Sequence, residues 1–172
     1  NDVLDGGEGN DRIVGGLGDD QISGGAGDDY ILAQTGNDVI STGTGNDEVD
    51  AGLGDDVITV DGTGNKTIDG GSGTDRVTFS LSGVTDFSNF SMSYSNSIIS
   101  MTASNGDALT LKNIEEVAFG SNVYKFIKVS SSGYLHNSFV DYTNQVIHSL
   151  DTFPGGWRTP SFGIQEIAGN SE

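Results

Sequence analysis

The 172-residue chain has no cysteine, two prolines, two histidines and one tryptophan, and only seven Lys and Arg against 25 Asp and Glu. Each scarcity removes a class of chemistry. Without cysteine there is no disulfide framework and no thiolate ligand or nucleophile, a usage that suits an exported protein. A net charge of −18 works against binding nucleic acid, whose affinity comes from phosphates neutralised by Lys and Arg. No stretch approaches the roughly 20 apolar residues of a membrane span. The first residues have neither the basic start nor the apolar core of a signal peptide. His-Glu-x-x-His and Gly-x-Ser-x-Gly are both missing, and Gly62-Thr63-Gly64-Asn65-Lys66-Thr67 lacks the ending of a phosphate loop. His136 and His148 read as ordinary surface or packing residues. The expectation is a chain that is not an enzyme.

What the chain has in excess is glycine, 27 residues, and the glycine is periodic. From Gly6 to Thr59 the sequence repeats every nine residues, and after one extra residue, Val60, two more repeats run to Thr78. The fourth position is Gly9, Gly18, Gly27, Gly36, Gly45, Gly54, Gly64 and Gly73. The eighth is β-branched throughout: Ile13, Ile22, Ile31, Ile40, Val49, Ile58, Ile68 and Val77. The sixth is Asp11, Asp20, Asp29, Asp38, Asp47, Asp56 and Asp75, broken once by Lys66. Asn1 to Asp5 read as the end of another repeat, so Asp2 joins the sixth-position row. The chain thus begins in mid-repeat, as if cut from something longer. Residues 1–78 carry 17 acidic residues against Arg12, Lys66 and Arg76. So acidic a block is often disordered, but a strict glycine and isoleucine period argues for structure. Without a bound cation, like-charge crowding predicts disorder.

Each nonapeptide divides into a Gly-Gly-x-Gly-x-Asp turn, where glycine permits positive φ and close backbone approach, and a three-residue strand with its central side chain inward. Two nonapeptides make one coil of about 18 residues, and coils stack at about the 4.8 Å strand spacing. Each edge then carries a column of Asp: Asp2, Asp20, Asp38 and Asp56 on one, Asp11, Asp29 and Asp47 on the other. Carboxylates so close cannot all stay ionised unless a cation lies between them. Carboxylates with turn carbonyls form a hard, oxygen-only donor set that selects calcium over zinc or copper.

On these residues the chain resembles the calcium-binding repeats of the repeats-in-toxin (RTX, hemolysin-type) family, over residues 1–78. The resemblance implies a parallel β-roll with each calcium ion held between turns one coil apart. The implied pairs are Asp2 with Asp20, Asp11 with Asp29, Asp20 with Asp38, Asp29 with Asp47, and Asp38 with Asp56, about five ions in all. Carbonyls of Gly6, Gly7, Gly9, Gly15, Gly16, Gly18, Gly24, Gly25, Gly27, Gly36, Gly43, Gly45 and Gly54 complete the implied donor set. Three repeats lack the leading glycine (Ala33, Thr42, Ala51), which is tolerable if only carbonyls are used there. Lys66 replaces the partner of Asp47, and its ammonium is a candidate to stand where an ion would be. Val60 reads as a bulge, leaving a site between Asp56 and Asp75 open. The fifth-position row (Asn10, Asp19, Asp28, Asn37, Asn46, Asp55, Asn65) reads as turn chemistry, with extra ligands as the alternative. The thin core makes metal binding a large part of the folding free energy.

After Thr78 the period gives way to alternation. Strands are expected at residues 90–94, 97–103, 108–112, 114–119 and 123–129, with Asn105-Gly106 as a hairpin signal. The stretch from Ala108 to Phe119, with Asn113-Ile114-Glu115 at its centre, is similar to the segment that follows such repeats in secreted proteins, and reads as a cap on the open end of the roll. Leu135, Phe139, Tyr142, Val146 and Leu150 fall on one helical face, stopped by Pro154-Gly155-Gly156. The expected architecture is therefore all-β: a parallel β-roll (right-handed β-helix) at 1–78, a β-rich cap at 79–129, and a C-terminal amphipathic helix and tail at 130–172. That helix either docks on its own domain or belongs to an uncleaved export signal.

The leading functional expectation is a calcium-dependent folding and secretion module of a larger exported protein. The resemblance implies a type I secretion substrate of a Gram-negative bacterium, unfolded inside the cell and folded in the calcium outside. Its partners would be calcium ions and the type I secretion apparatus, with the module itself monomeric. The alternative is a non-catalytic carbohydrate-binding or adhesion module meeting polysaccharide. Ice binding would need regular Thr and Asn rows, which the third positions lack.

Overall fold

The computed structural model describes residues 1–131, 134–141 and 146–149, with side chains through residue 126. The nonapeptides wind into two facing parallel sheets. One is built from β1 (Val3–Glu8), β3 (Gln21–Ala26), β5 (Val39–Ser41), β7 (Val57–Val60) and β9 (Arg76–Phe79). The other is built from β2 (Arg12–Leu17), β4 (Tyr30–Thr35), β6 (Asp47–Asp50) and β8 (Lys66–Asp69). The register follows the sequence period. Leu4, Ile22, Ile40, Ile58 and Val77 align in one sheet, and Ile13, Ile31, Val49 and Ile68 in the other. From Ile13 and Ile22 onward these residues are buried, forming a core two aliphatic side chains thick. Stacking identical β-branched residues satisfies both strand propensity and burial.

Two local expectations change. The first four strands run six residues and include the first two positions of the next repeat, such as Gly6-Gly7 and Gly15-Gly16. The turn proper is thus shorter than Gly-Gly-x-Gly-x-Asp. Val60 forms no bulge: it pairs with Phe79 at the end of an in-register strand and is buried. The extra residue lets a second side chain turn inward beside Ile58, so the core begins to widen there.

The cap grows out of the same sheets. β12 (Ala108–Lys112) pairs in parallel with β8, and β13 (Glu116–Phe119) in parallel with β9. The segment between Ala108 and Phe119 is therefore one more coil of the roll, built from a different sequence. β10 (Phe90–Ser95) and β11 (Ile98–Ala103) then add antiparallel to β12, preceded by a 3-10 turn at Phe87–Asn89 whose N-cap is Asp86. Phe79 stacks on Phe119 with ring centroids 5.0 Å apart, and Phe87 meets both Phe119 and Tyr124 at 4.9 Å. Offset and edge contacts of this kind add to the burial of large rings.

Among the described residues the expected C-terminal helix is not found, and Tyr142 and Leu150 of its apolar face lie outside them. β14 (Asn122–Ser131), β15 (Tyr134–Asp141) and β16 (Val146–Ser149) continue the first sheet as antiparallel strands. Asn137, Ser138, Val140, Asp141, Val146 and Ile147 are weak helix formers. Pairing of β15 with β14 and of β16 with β15 satisfies their backbone groups, which overrides the helical spacing of the apolar residues. The stop at Pro154-Gly155-Gly156 and the tail to Glu172 lie outside the described residues. No helix among the described residues is long and apolar enough to cross a membrane.

Candidate metal sites

The two carboxylate oxygens of each sixth-position Asp do different things. Oδ1 accepts the backbone N–H of the sixth-position residue one coil earlier: Asp20 from Asp2 at 2.6 Å, Asp29 from Asp11 at 2.9 Å, Asp38 from Asp20 at 2.7 Å, Asp47 from Asp29 at 3.0 Å, and Asp56 from Asp38 at 2.8 Å. Asp75 accepts from Asp56 at 2.9 Å, although their coil is one residue longer. The structure thus brings together all five pairs read from the sequence and also the pair that Val60 had left open. Oδ2 of Asp11, Asp20, Asp29, Asp38, Asp56 and Asp75 is buried without a hydrogen-bond partner. From Asp20 to Asp75 these side chains are at most 3% exposed. Asp2 is exposed.

The fifth-position row stitches in the opposite direction. Asn10 accepts from Asp28 N–H, Asp19 from Asn37, Asp28 from Asn46, Asn37 from Asp55, Asn46 from Asn65 and Asp55 from Thr74. Its oxygens hold backbone, which is turn chemistry of the kind expected of Asn and Asp. The sixth-position Oδ2 is the oxygen left over.

A main-chain carbonyl of the next coil lies near that oxygen. A Cβ added to Gly24 would lie 2.6 Å from Thr42 O and 2.8 Å from Asp29 Oδ2. At Gly15 the same two neighbours are Ala33 O, at 2.7 Å, and Asp20 Oδ2, at 2.9 Å; at Gly6 they are Gly24 O and Asp11 Oδ2. First-position carbonyls thus converge with Oδ2 whether the residue is Gly, Ala or Thr. The second-position residues Gly7, Gly16, Gly25 and Gly43 and the fourth-position residues Gly9, Gly18, Gly27, Gly36, Gly45 and Gly54 all have positive φ. Fourth-position N–H groups donate to third-position carbonyls of the next coil, as Gly27 does to Thr44 O at 2.9 Å.

Lys66 reveals what such a cage accepts. Its side chain is fully buried. Its ammonium donates to Gly45 O at 2.6 Å and Thr63 O at 3.0 Å, and lies 3.0 Å from Asp47 Oδ2 in an ion pair lacking hydrogen-bond geometry. Two carbonyls and one carboxylate hold a cation where the column has lost its next Asp. Among the described residues, Asp11, Asp20, Asp29, Asp38, Asp56 and Asp75 have a buried Oδ2 and no lysine beside it.

The electrostatics agree. Burial, reinforced by neighbouring carboxylates, raises Asp29 and Asp38 above the ordinary range, Asp56 to about 6 and Asp75 to about 7. A buried carboxylate without a counter-charge costs several kcal/mol (roughly 3–5 when a partner is removed). The buried donors fit calcium: they are oxygen only, carboxylates with main-chain carbonyls, which suit a hard ion of high coordination number. No three carboxylate or imidazole groups converge on one point among the described residues, so carbonyls must supply the remainder.

The arrangement defines a parallel β-roll with columns of stacked carboxylates. The model for the RTX calcium-binding nonapeptide repeat matches residues 1–31, 23–58 and 60–80, in 4 copies. Residues 1–80 belong to that family, and the roll they form is a non-catalytic calcium-binding module. Among solved structures, the extracellular lipase LipA from Serratia marcescens is similar at 20% identity and a TM-score of 0.36, over 73% of this chain and 16% of that one. The chain spans about a sixth of that lipase's length. Curated protein sequences give no match.

Proposed function

We propose that this chain is a calcium-triggered folding module of a larger exported protein. The six sixth-position pairs from Asp2–Asp20 to Asp56–Asp75 hold the ions, and first- and fourth-position carbonyls complete each site. One observation carries the reading: two columns of buried carboxylates, each with one oxygen tied to backbone and the other without a partner. Such columns repel and leave the roll unfolded while calcium is scarce. Calcium supplies the compensating charge, and binding to the folded state alone then drives folding by mass action.

This switch suits a polypeptide that must stay unfolded during export and fold in the calcium-rich exterior, as a type I secretion substrate of a Gram-negative bacterium would. The module then supports the folding and stability of the protein that carries it. Far-UV circular dichroism of the 172-residue chain tests the proposal. The β signal should rise on adding calcium and fall with chelator by the share the roll contributes, and magnesium should not replace calcium. Identical spectra in calcium and in chelator would sink it.

A further inference from the structure

The column that starts at Asp2 does not end at Asp75. The pairing of Glu116 with Arg76 in the β13–β9 register puts Glu115 opposite Asp75. Glu115 Oε2 accepts the Asp75 N–H at 2.9 Å, the bond that each Asp of the roll makes with the coil before it. Glu116 N–H donates to Asp75 O at 2.9 Å, as Arg76 N–H does to Asp56 O at 2.8 Å and Val57 N–H to Asp38 O at 2.9 Å. The carbonyl side repeats too. Asn113 O and Asp75 Oδ2 converge on Gly70, the latter 2.7 Å from where its Cβ would lie, as Thr42 O and Asp29 Oδ2 converge on Gly24.

We propose that the junction of roll and cap holds a further calcium site, formed by Asp75 Oδ2, the main-chain carbonyl of Asn113 and the Glu115 carboxylate. The site rests on the reading of the roll as calcium-bound, but its ligands lie beyond the nonapeptides. Asp75 is fully buried and its Oδ2 has no hydrogen-bond partner, so this oxygen points into the site as its counterparts do in the roll. The nearby cations are engaged elsewhere: Lys112 with Asp69, and Arg76 and Lys125 with Glu116. Among the described residues no ammonium fills this cage as Lys66 fills the one at Asp47.

The sequence here is not a repeat. Three residues, Asn113-Ile114-Glu115, replace the glycine-rich turn. Asn113 takes φ 51, a left-handed conformation that asparagine tolerates, and Ile114 is buried in the core. Glutamate in place of aspartate brings the carboxylate to the column from this different turn. An ion there ties β13 to β9 at the seam where the cap joins the roll.

Native mass spectrometry of the 172-residue chain in calcium counts the ions. Glu115→Gln keeps an oxygen for the Asp75 N–H but removes the charge. It should bind one ion fewer than the unsubstituted chain while its circular dichroism in calcium stays the same. An equal ion count overturns the junction site. If the unsubstituted chain binds no calcium, the reading of the whole roll falls. If Asp29→Asn loses ions while Glu115→Gln does not, the junction site alone is wrong. Should Glu115→Gln fail to fold, Glu115→Asp decides by titration: the shorter side chain should weaken one ion by about tenfold or more, by loss of ligand reach. An unchanged titration overturns the proposal.

Discussion

The roll and the cap share two continuous sheets but settle their charges in opposite ways. Where the cap joins the roll, carboxylates have cationic partners. Glu116 lies between Arg76 and Lys125, and Asp69 of β8 is paired with Lys112 of the cap and accepts from the Asn113 amide. Burial alone would raise both carboxyls, but these partners outweigh it and hold them below the usual range. The sixth-position carboxylates of the roll from Asp20 to Asp75 are more deeply buried, and among them only Asp47 has a lysine beside its second oxygen. The cap brings its own cations and an aromatic core, whereas the roll has a thin aliphatic core and must take cations from solution. Lys66 is the exception inside the roll that shows the same solution made internally.

That comparison can be broken or sharpened by substitution. Asp38→Ala removes a carboxylate shared by two pairs and should cost two ions. Each ion contributes about 2.7 kcal/mol at a hundredfold excess over its Kd, so the loss is about 5 kcal/mol. Calcium-dependent thermal unfolding with an ion count measures it. Phe119→Ala in the cap should cost about 4 kcal/mol through the cavity it leaves, by the same amount at moderate and high free calcium. A cost that shrinks as calcium rises would mean the cap is calcium-built too.

Lys66→Met should cost about 3 kcal/mol in calcium by stranding buried Asp47. Lys66→Asp should instead gain one bound ion, read by the same ion count. Acidification sets calcium against protons. Asp56 and Asp75 have folded values of about 6 and 7, above the roughly 3.9 of an unfolded chain. Between these values the folded, calcium-free roll binds more protons than the unfolded chain. Its stability in chelator should rise as pH falls from 7 toward 5, while calcium affinity declines over the same range. Chemical unfolding in chelator and calcium titration across that range measure the two trends.

Much of this was legible because the repeat fixes backbone, core and carboxylate together. The alignment of Ile13, Ile31 and Val49 and the two Asp columns follow from the nine-residue spacing, and the backbone role of the Asn10 row from the turn chemistry of Asn and Asp. Glu115 was not legible as part of the column, since its place is set by β13 pairing with β9 across a turn with no glycine motif. Val60 read as a defect because the sequence does not reveal that Phe79 waits opposite it. The apolar spacing from Leu135 to Leu150 fitted a helix equally well, and for residues 134–141 and 146–149 pairing with a neighbouring strand, a tertiary fact, decided for strands.

Backbone amide exchange tests the central claim most directly, because the stitched N–H groups of Asp20, Asp29, Asp38 and Asp56 report the roll while those of Met101 and Leu111 report the cap. In calcium both sets should be protected. On adding chelator, the roll amides should lose protection far more than the cap amides. Roll amides that stay as protected in chelator as in calcium would contradict the account.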